Sequence, residues 1–153
     1  MIVWLKKDLV LALDDRQVAE HGGSGGVRDD NLLESALARP QQLYAYGDPP
    51  PDLAGLAATL AYGLARNHPF IDGNKRTAAV ACETFVDLNG GRLEAADAEL
   101  FAQYMALAEG ELSVEDFAGW LRDRVKSEPT DRIQESRPKR GRPKSKSQVK
   151  RRK

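Results

Sequence analysis

Residues Leu53 to Ala65 run for 13 positions without a charge, and no other stretch narrows the possible folds as much. A membrane-spanning helix needs about 20 apolar residues, so the run is too short to cross a bilayer. Leu53, Leu56, Ala57, Leu60 and Leu64 recur at the spacing of one helix face, and Ala, Gly and Thr fill most positions between them. Small residues let neighbouring backbones come close. The stretch therefore predicts a buried central helix, capped by Asp52 after the prolines at 49–51 and ending near Asn67.

Other helices are expected around it. Asp8 to Glu20 places Leu9, Leu13 and Val18 on one face with Leu5 and Ala12 beside it, and stops at the glycine-rich loop His21–Gly26. A second helix is expected from Asp30 to Ala38, ending before Pro40. Another opens at Asn74 or Lys75 and runs through Ala78, Cys82 and Phe85 to Leu88, where Asn89-Gly90 stops it. Asp97 is expected to cap a helix to Glu109. Ser113 caps the last, with Leu112 and Phe117 as its hydrophobic staple and Trp120, Leu121 and Val125 along its length. Arg92–Glu94 reads as one short extended piece, and no longer strand alternation appears. The fold class is all-α, a helical domain over residues 1–126 followed by a tail over 127–153.

Between the central helix and the next lies His68-Pro69-Phe70-Ile71-Asp72-Gly73-Asn74-Lys75-Arg76-Thr77. The loop is aimed at a helix start, where unpaired N–H groups and the positive dipole end favour an anion. Gly73 lets backbone approach a ligand, and Asn74 can cap the helix or donate to a phosphate. Lys75 and Arg76 put two positive charges where they disfavour the helix itself, a conflict that an anionic ligand resolves. Asp72 is a hard oxygen ligand suited to Mg²⁺ on a nucleotide, and His68 can take a proton near neutral pH. Phe70 and Ile71 read as buried anchors. The same residues also fit a polar capped turn in which Asp72 pairs with Lys75 or Arg76.

The stretch resembles the signature of the Fic/Doc family, H-x-F-x-[DE]-[AG]-N-x-R, at every fixed position: His68, Phe70, Asp72, Gly73, Asn74 and Arg76. His21–Ser24, Arg28-Asp29 and Leu33–Leu37 are similar to the Doc, or death-on-curing, branch. The resemblance implies the all-helical Fido fold, with His68 catalytic, Asp72 at the metal, and Gly73, Asn74, Lys75 and Arg76 at the nucleotide phosphates. AMP-transferring members carry Gly after the Asn and a second Arg three residues past the first; here those positions hold Lys75 and Ala79. That departure follows the Doc pattern. It implies a toxin that uses ATP and Mg²⁺ to phosphorylate a threonine or serine of a target protein, elongation factor Tu, and is held in check by a separate antitoxin. The internal inhibitory pattern [ST]-x-x-x-E-[GN] of many Fic proteins does not occur in the chain. An AMP-transferase and a noncatalytic DNA-associated binding module are the rival readings.

The formal net charge of zero hides two unlike parts. Arg137–Lys153 holds ten Lys and Arg and no acid, which leaves 13 basic against 23 acidic side chains over residues 1–136, a net −10. An acidic body is not expected to bind nucleic acid by charge, whereas the tail can. Within the tail, Arg140-Gly141-Arg142-Pro143 resembles the core of an AT-hook, whose arginines suit a narrow A·T-rich minor groove; a nonspecific polycation is the alternative. The single cysteine, Cys82, excludes an internal disulfide and a cysteine-based zinc site. Lys6, Lys7 and Asp8 interrupt the first apolar run, so no signal peptide is expected, and the location implied is cytoplasmic.

Overall fold

The structure is a computed structural model that describes residues 1–127. It contains six helices: α1 Lys7–His21, α2 Asp30–Tyr46, α3 Leu53–Asn67, α4 Asn74–Leu88, α5 Asp97–Glu109 and α6 Val114–Arg124. Two three-residue strands, β1 Gly91–Leu93 and β2 Val125–Ser127, pair antiparallel with Gly91 opposite Ser127. The tail residues Arg140, Gly141, Arg142 and Pro143 lie outside the described residues.

The expected central helix is present. Nine of the fifteen residues of α3 are buried, on all sides, and it packs against α2, α4, α5 and α6. Asp52 caps it by accepting the Gly55 N–H at 2.9 Å, and the same carboxylate takes two hydrogen bonds from Arg122 of α6, at 2.6 and 2.9 Å. Small residues set the packing distance to α2. A Cβ built at Gly63 would stand 3.0 Å from the Ala36 Cβ. Around α3 the core is completed by Leu33, Phe85, Tyr104, Phe117 and Leu121, with Trp4 stacked on Phe85. Asn89 ties the N-terminal segment to the end of α4, accepting from the Val3 N–H and donating to the Val3 carbonyl.

Several sequence expectations need correction. α2 does not end before Pro40 but continues to Tyr46, with Pro40 buried in its interior. Leu33, Ala36 and Pro40 share one face, and burying that face against α3 outweighs a cost of about 3 kcal/mol for an interior proline. In α1 the buried residues are Val10 and Asp14, while Leu9 is 37% exposed and Ala12 faces solvent. Asp97 is the first residue of α5 and not its cap. The cap position is Ala96, whose N–H donates to Glu99. Val125 leaves α6 to begin β2, the partner that the isolated extended piece at Arg92 lacked in the sequence.

Candidate anion-binding active site

The site is built where α3 hands the chain to α4. The last turn of α3 ends at His68, which adopts a left-handed conformation (φ 49°, ψ 56°), the one non-glycine residue with positive φ among those described. Such a conformation costs about 1–2 kcal/mol and persists only when the surroundings enforce it. Arg28 does so. Its guanidinium donates to the His68 carbonyl at 2.7 Å and to the Asn67 carbonyl at 2.9 Å, closing the end of α3. The carbonyl of Pro69 accepts from the N–H groups of Arg28 and Asp29, and the Ile71 N–H donates to the Gly26 carbonyl. The glycine-rich segment thus lies paired along the His68 loop, with Val27 bridged to Phe70.

Phe70 is fully buried, as expected, and anchors the loop. Ile71 is not an anchor; it is 51% exposed beside Gly26. Asn74 also behaves differently from expectation. Its side chain accepts from the Phe70 N–H at 2.9 Å and donates to the Phe70 carbonyl at 3.0 Å, so it locks the loop instead of capping α4 or reaching for a phosphate. What Asn74 can still offer an anion is its backbone N–H at the first position of the helix.

Gly73 precedes α4 at φ 79°, a conformation that favours glycine. The first turn of α4 has no acidic residue. Lys75 and Arg76 sit there, and neither forms an ion pair among the described residues, so two unpaired cations stand at the helix N-terminus. Asp72 pairs with neither of them. One of its oxygens accepts the Ser24 N–H at 2.8 Å, and the glycine loop passes so close that a Cβ at Gly23 would meet the Asp72 Cβ at 3.1 Å. The His68 imidazole has no hydrogen-bond partner among the described residues. Partial burial, and then the charges of Lys75, Arg28 and Arg66, hold its pKa below the ordinary value, so near neutral pH it is an unprotonated base.

Asp14 and Arg28 were missed from sequence as parts of the site. Asp14 is buried in α1 and accepts from the Thr77 hydroxyl at 2.8 Å, fixing α1 to the first turn of α4; burial pushes its carboxyl above the usual range. An acid on an otherwise apolar helix face was the signal available. No cluster of three metal-ligating side chains exists among the described residues. A lone carboxylate such as Asp72 could hold Mg²⁺ only if most of the ion's oxygens came from phosphate and water, since that ion needs no more than one or two carboxylates.

Fold and site together define an all-helical protein whose histidine loop opens onto a cationic helix start. A family profile described as Fic/DOC family matches residues 4–86. A protein named Toxin Doc from Mycolicibacterium smegmatis is 50% identical over 74 residues, which cover 48% of this chain and 57% of that one. A protein named Protein kinase doc from Escherichia phage P1 is 35% identical over 113 residues, covering 74% of this chain and 88% of its own length. The match with the first relative spans little more than half of that protein. The chain belongs to the Fic/DOC family. No helix among the described residues is long and apolar enough to cross a membrane.

Proposed function

We propose that the protein is an ATP-dependent protein kinase of the Doc kind, the toxin of a toxin–antitoxin pair, and that it transfers the terminal phosphate of ATP to a serine or threonine of elongation factor Tu. The observation that carries this reading is the pair of cations without an ion-pair partner among the described residues, Lys75 and Arg76, on the helix start beside the free imidazole of His68. In the transfer, His68 takes the proton of the attacking hydroxyl. The oxygen–phosphorus bond forms as the bond to the bridging oxygen of the β-phosphate breaks, and ADP leaves. Lys75, Arg76 and the N–H groups at the start of α4 hold the phosphate oxygens, so positioning and charge neutralisation do most of the catalysis. Asp72 would hold Mg²⁺, which screens phosphate charge when bound.

Lys75 and Ala79 favour phosphate transfer over AMP transfer. They replace the glycine and second arginine that the AMP-transferring members carry, and a relative bears the name of a protein kinase. An antitoxin partner is proposed on the same grounds. The basic tail is proposed to contact DNA. The test incubates the protein with elongation factor Tu and ATP labelled at either the γ or the α phosphate. Label arriving from the γ position supports the kinase. Label arriving only from the α position would make the protein an AMP-transferase, and no label on the factor from either would remove it as acceptor.

A further inference from the structure

The trough between α4 and α5, walled by Lys75, Arg76 and Glu83 on one helix and by Asp97, Phe101 and Tyr104 on the other, adjoins the site already described. A different surface lies at the far end of α4. Leu88 closes that helix, about 20 Å along its axis from Asn74. Beside it is a shallow depression of about 470 Å³ lined by Val3, Trp4, Leu9 and Leu88, with Lys6 and Asp8 also on its walls. Val3 is 47% exposed and Leu88 46%, and Leu9 and Tyr44 are exposed as well. The Tyr44 ring meets Trp4 edge-on at 5.7 Å. These four make up half of the large hydrophobic side chains exposed among the described residues, all gathered about Trp4. Single exposed apolar residues need no explanation, but a contiguous group marks an interaction site.

Three features select the occupant. First, the patch is held in place. Val3 donates its N–H to the Asn89 side-chain oxygen at 2.7 Å and accepts from the Asn89 side-chain nitrogen at 2.9 Å. A segment ahead of a helix is prone to fray, yet here its valine is pinned, and little ordering is left to be done on binding. Second, Lys6 and Asp8 carry opposite charges at the rim. Neither forms an ion pair among the described residues, although Lys7 between them pairs with both Asp30 and Glu34. A two-fold interface sets a patch against the same patch, so that residue i meets j and j meets i. Such a patch must answer its own charges, and a rim with one lysine and one aspartate does so. A uniformly acidic or basic partner would meet one of the two with its own sign. Third, the full chain has a formal net charge of zero, so two copies do not repel each other overall.

We propose that this patch is the contact surface of a reversible dimer of the chain. Two copies meet about a two-fold axis, with Val3, Leu9 and Leu88 of each set against the depression of the other. At the rim, Lys6 of each copy faces Asp8 of the other. Burial of the apolar side chains drives the contact, and the charges fix its register. The patch is small, so the dimer depends on concentration. The histidine loop lies at the other end of α4 and is left uncovered in both copies.

The test is sedimentation equilibrium of the full chain over a range of concentrations at low salt. It compares the wild type with Val3→Glu, Lys6→Asp, Asp8→Lys and the double variant that carries both reversals. The wild type is expected to pass from monomer to dimer, and Val3→Glu to stay monomeric over the same range. Each single reversal sets like charges against each other at both rim positions and should weaken the dimer roughly tenfold. The double variant restores opposite charges across the axis and should recover the association of the wild type. All three side chains are exposed, and far-UV circular dichroism checks that each variant is folded. A wild type that is monomeric throughout would overturn the proposal, even if another protein binds the patch. So would a dimer undiminished by Val3→Glu, or a double variant that associates no better than the single reversals.

Discussion

At the scale of single residues, His68 carries opposed demands. Its left-handed backbone would suit glycine, while its imidazole is the base that the proposed transfer needs. His68→Gly is therefore expected to leave the fold intact or to stabilise it by up to about 1 kcal/mol, and to abolish phosphate transfer; a melting curve beside a transfer assay checks both halves. On the proposed mechanism the neutral imidazole is the active form, and its surroundings depress its pKa. The rate should accordingly hold as pH falls to 6.5 and decline only below it, and a pH–rate profile with its acid limb centred above 6.5 would contradict the assignment. Asp14 acts differently. Asp14→Ala strands the buried Thr77 hydroxyl and is expected to cost about 1–3 kcal/mol in denaturant unfolding, whereas Asp14→Asn keeps an acceptor and should cost less. His68, Asp72 and Gly73 were legible because they lie within ten residues of one another. Asp14 was not, because the partner that gives it meaning is 63 residues away.

Among elements, the central helix was the easiest to read and its neighbours the hardest. Asp52 announced the start of α3 through its position after the prolines, but nothing local announces that Arg122 would share it. That arginine, then the Gly55 N–H, holds the Asp52 pKa near about 2, against an ordinary 3.8. A depressed carboxylate stabilises the fold fully above the ordinary value and loses its contribution as pH falls from about 4 toward 2. Because the pair is half-exposed, the loss should be no more than about 1 kcal/mol. Arg122→Ala should remove most of this acid sensitivity in urea titrations at pH 2 to 5. The α2–α3 contact is a matter of volume. Gly63→Val pushes a branched side chain into Ala36 and should lower stability by about 1–3 kcal/mol. Pro40 misled the reading of α2 because a local rule about proline was outweighed by burial of the face that carries it.

For the whole molecule, the uneven charge makes a separable prediction. Residues 1–136 carry −10 and residues 137–153 carry ten cations. Deleting 137–153 should leave folding and phosphate transfer unchanged and remove most binding to duplex DNA, measured as a function of salt, since the loss of up to ten phosphate contacts flattens that dependence. Changing Arg140 and Arg142 to alanine should cost more on A·T-rich than on G·C-rich duplex if the Arg-Gly-Arg-Pro core works as an AT-hook. The family and the place of the histidine loop could be read from sequence, whereas the trough between α4 and α5 could not, because its walls meet only after folding. That arrangement also bears on when a newly made chain completes this surface. Ribosomes deliver sequence from the N-terminus at roughly 5–20 residues per second, so His68 and the start of α4 leave before α5 exists. The wall formed by Asp97, Phe101 and Tyr104 follows about 20–30 residues later by their positions in the chain. A growing polypeptide thus holds His68 and its two cations before the wall that faces them has been made.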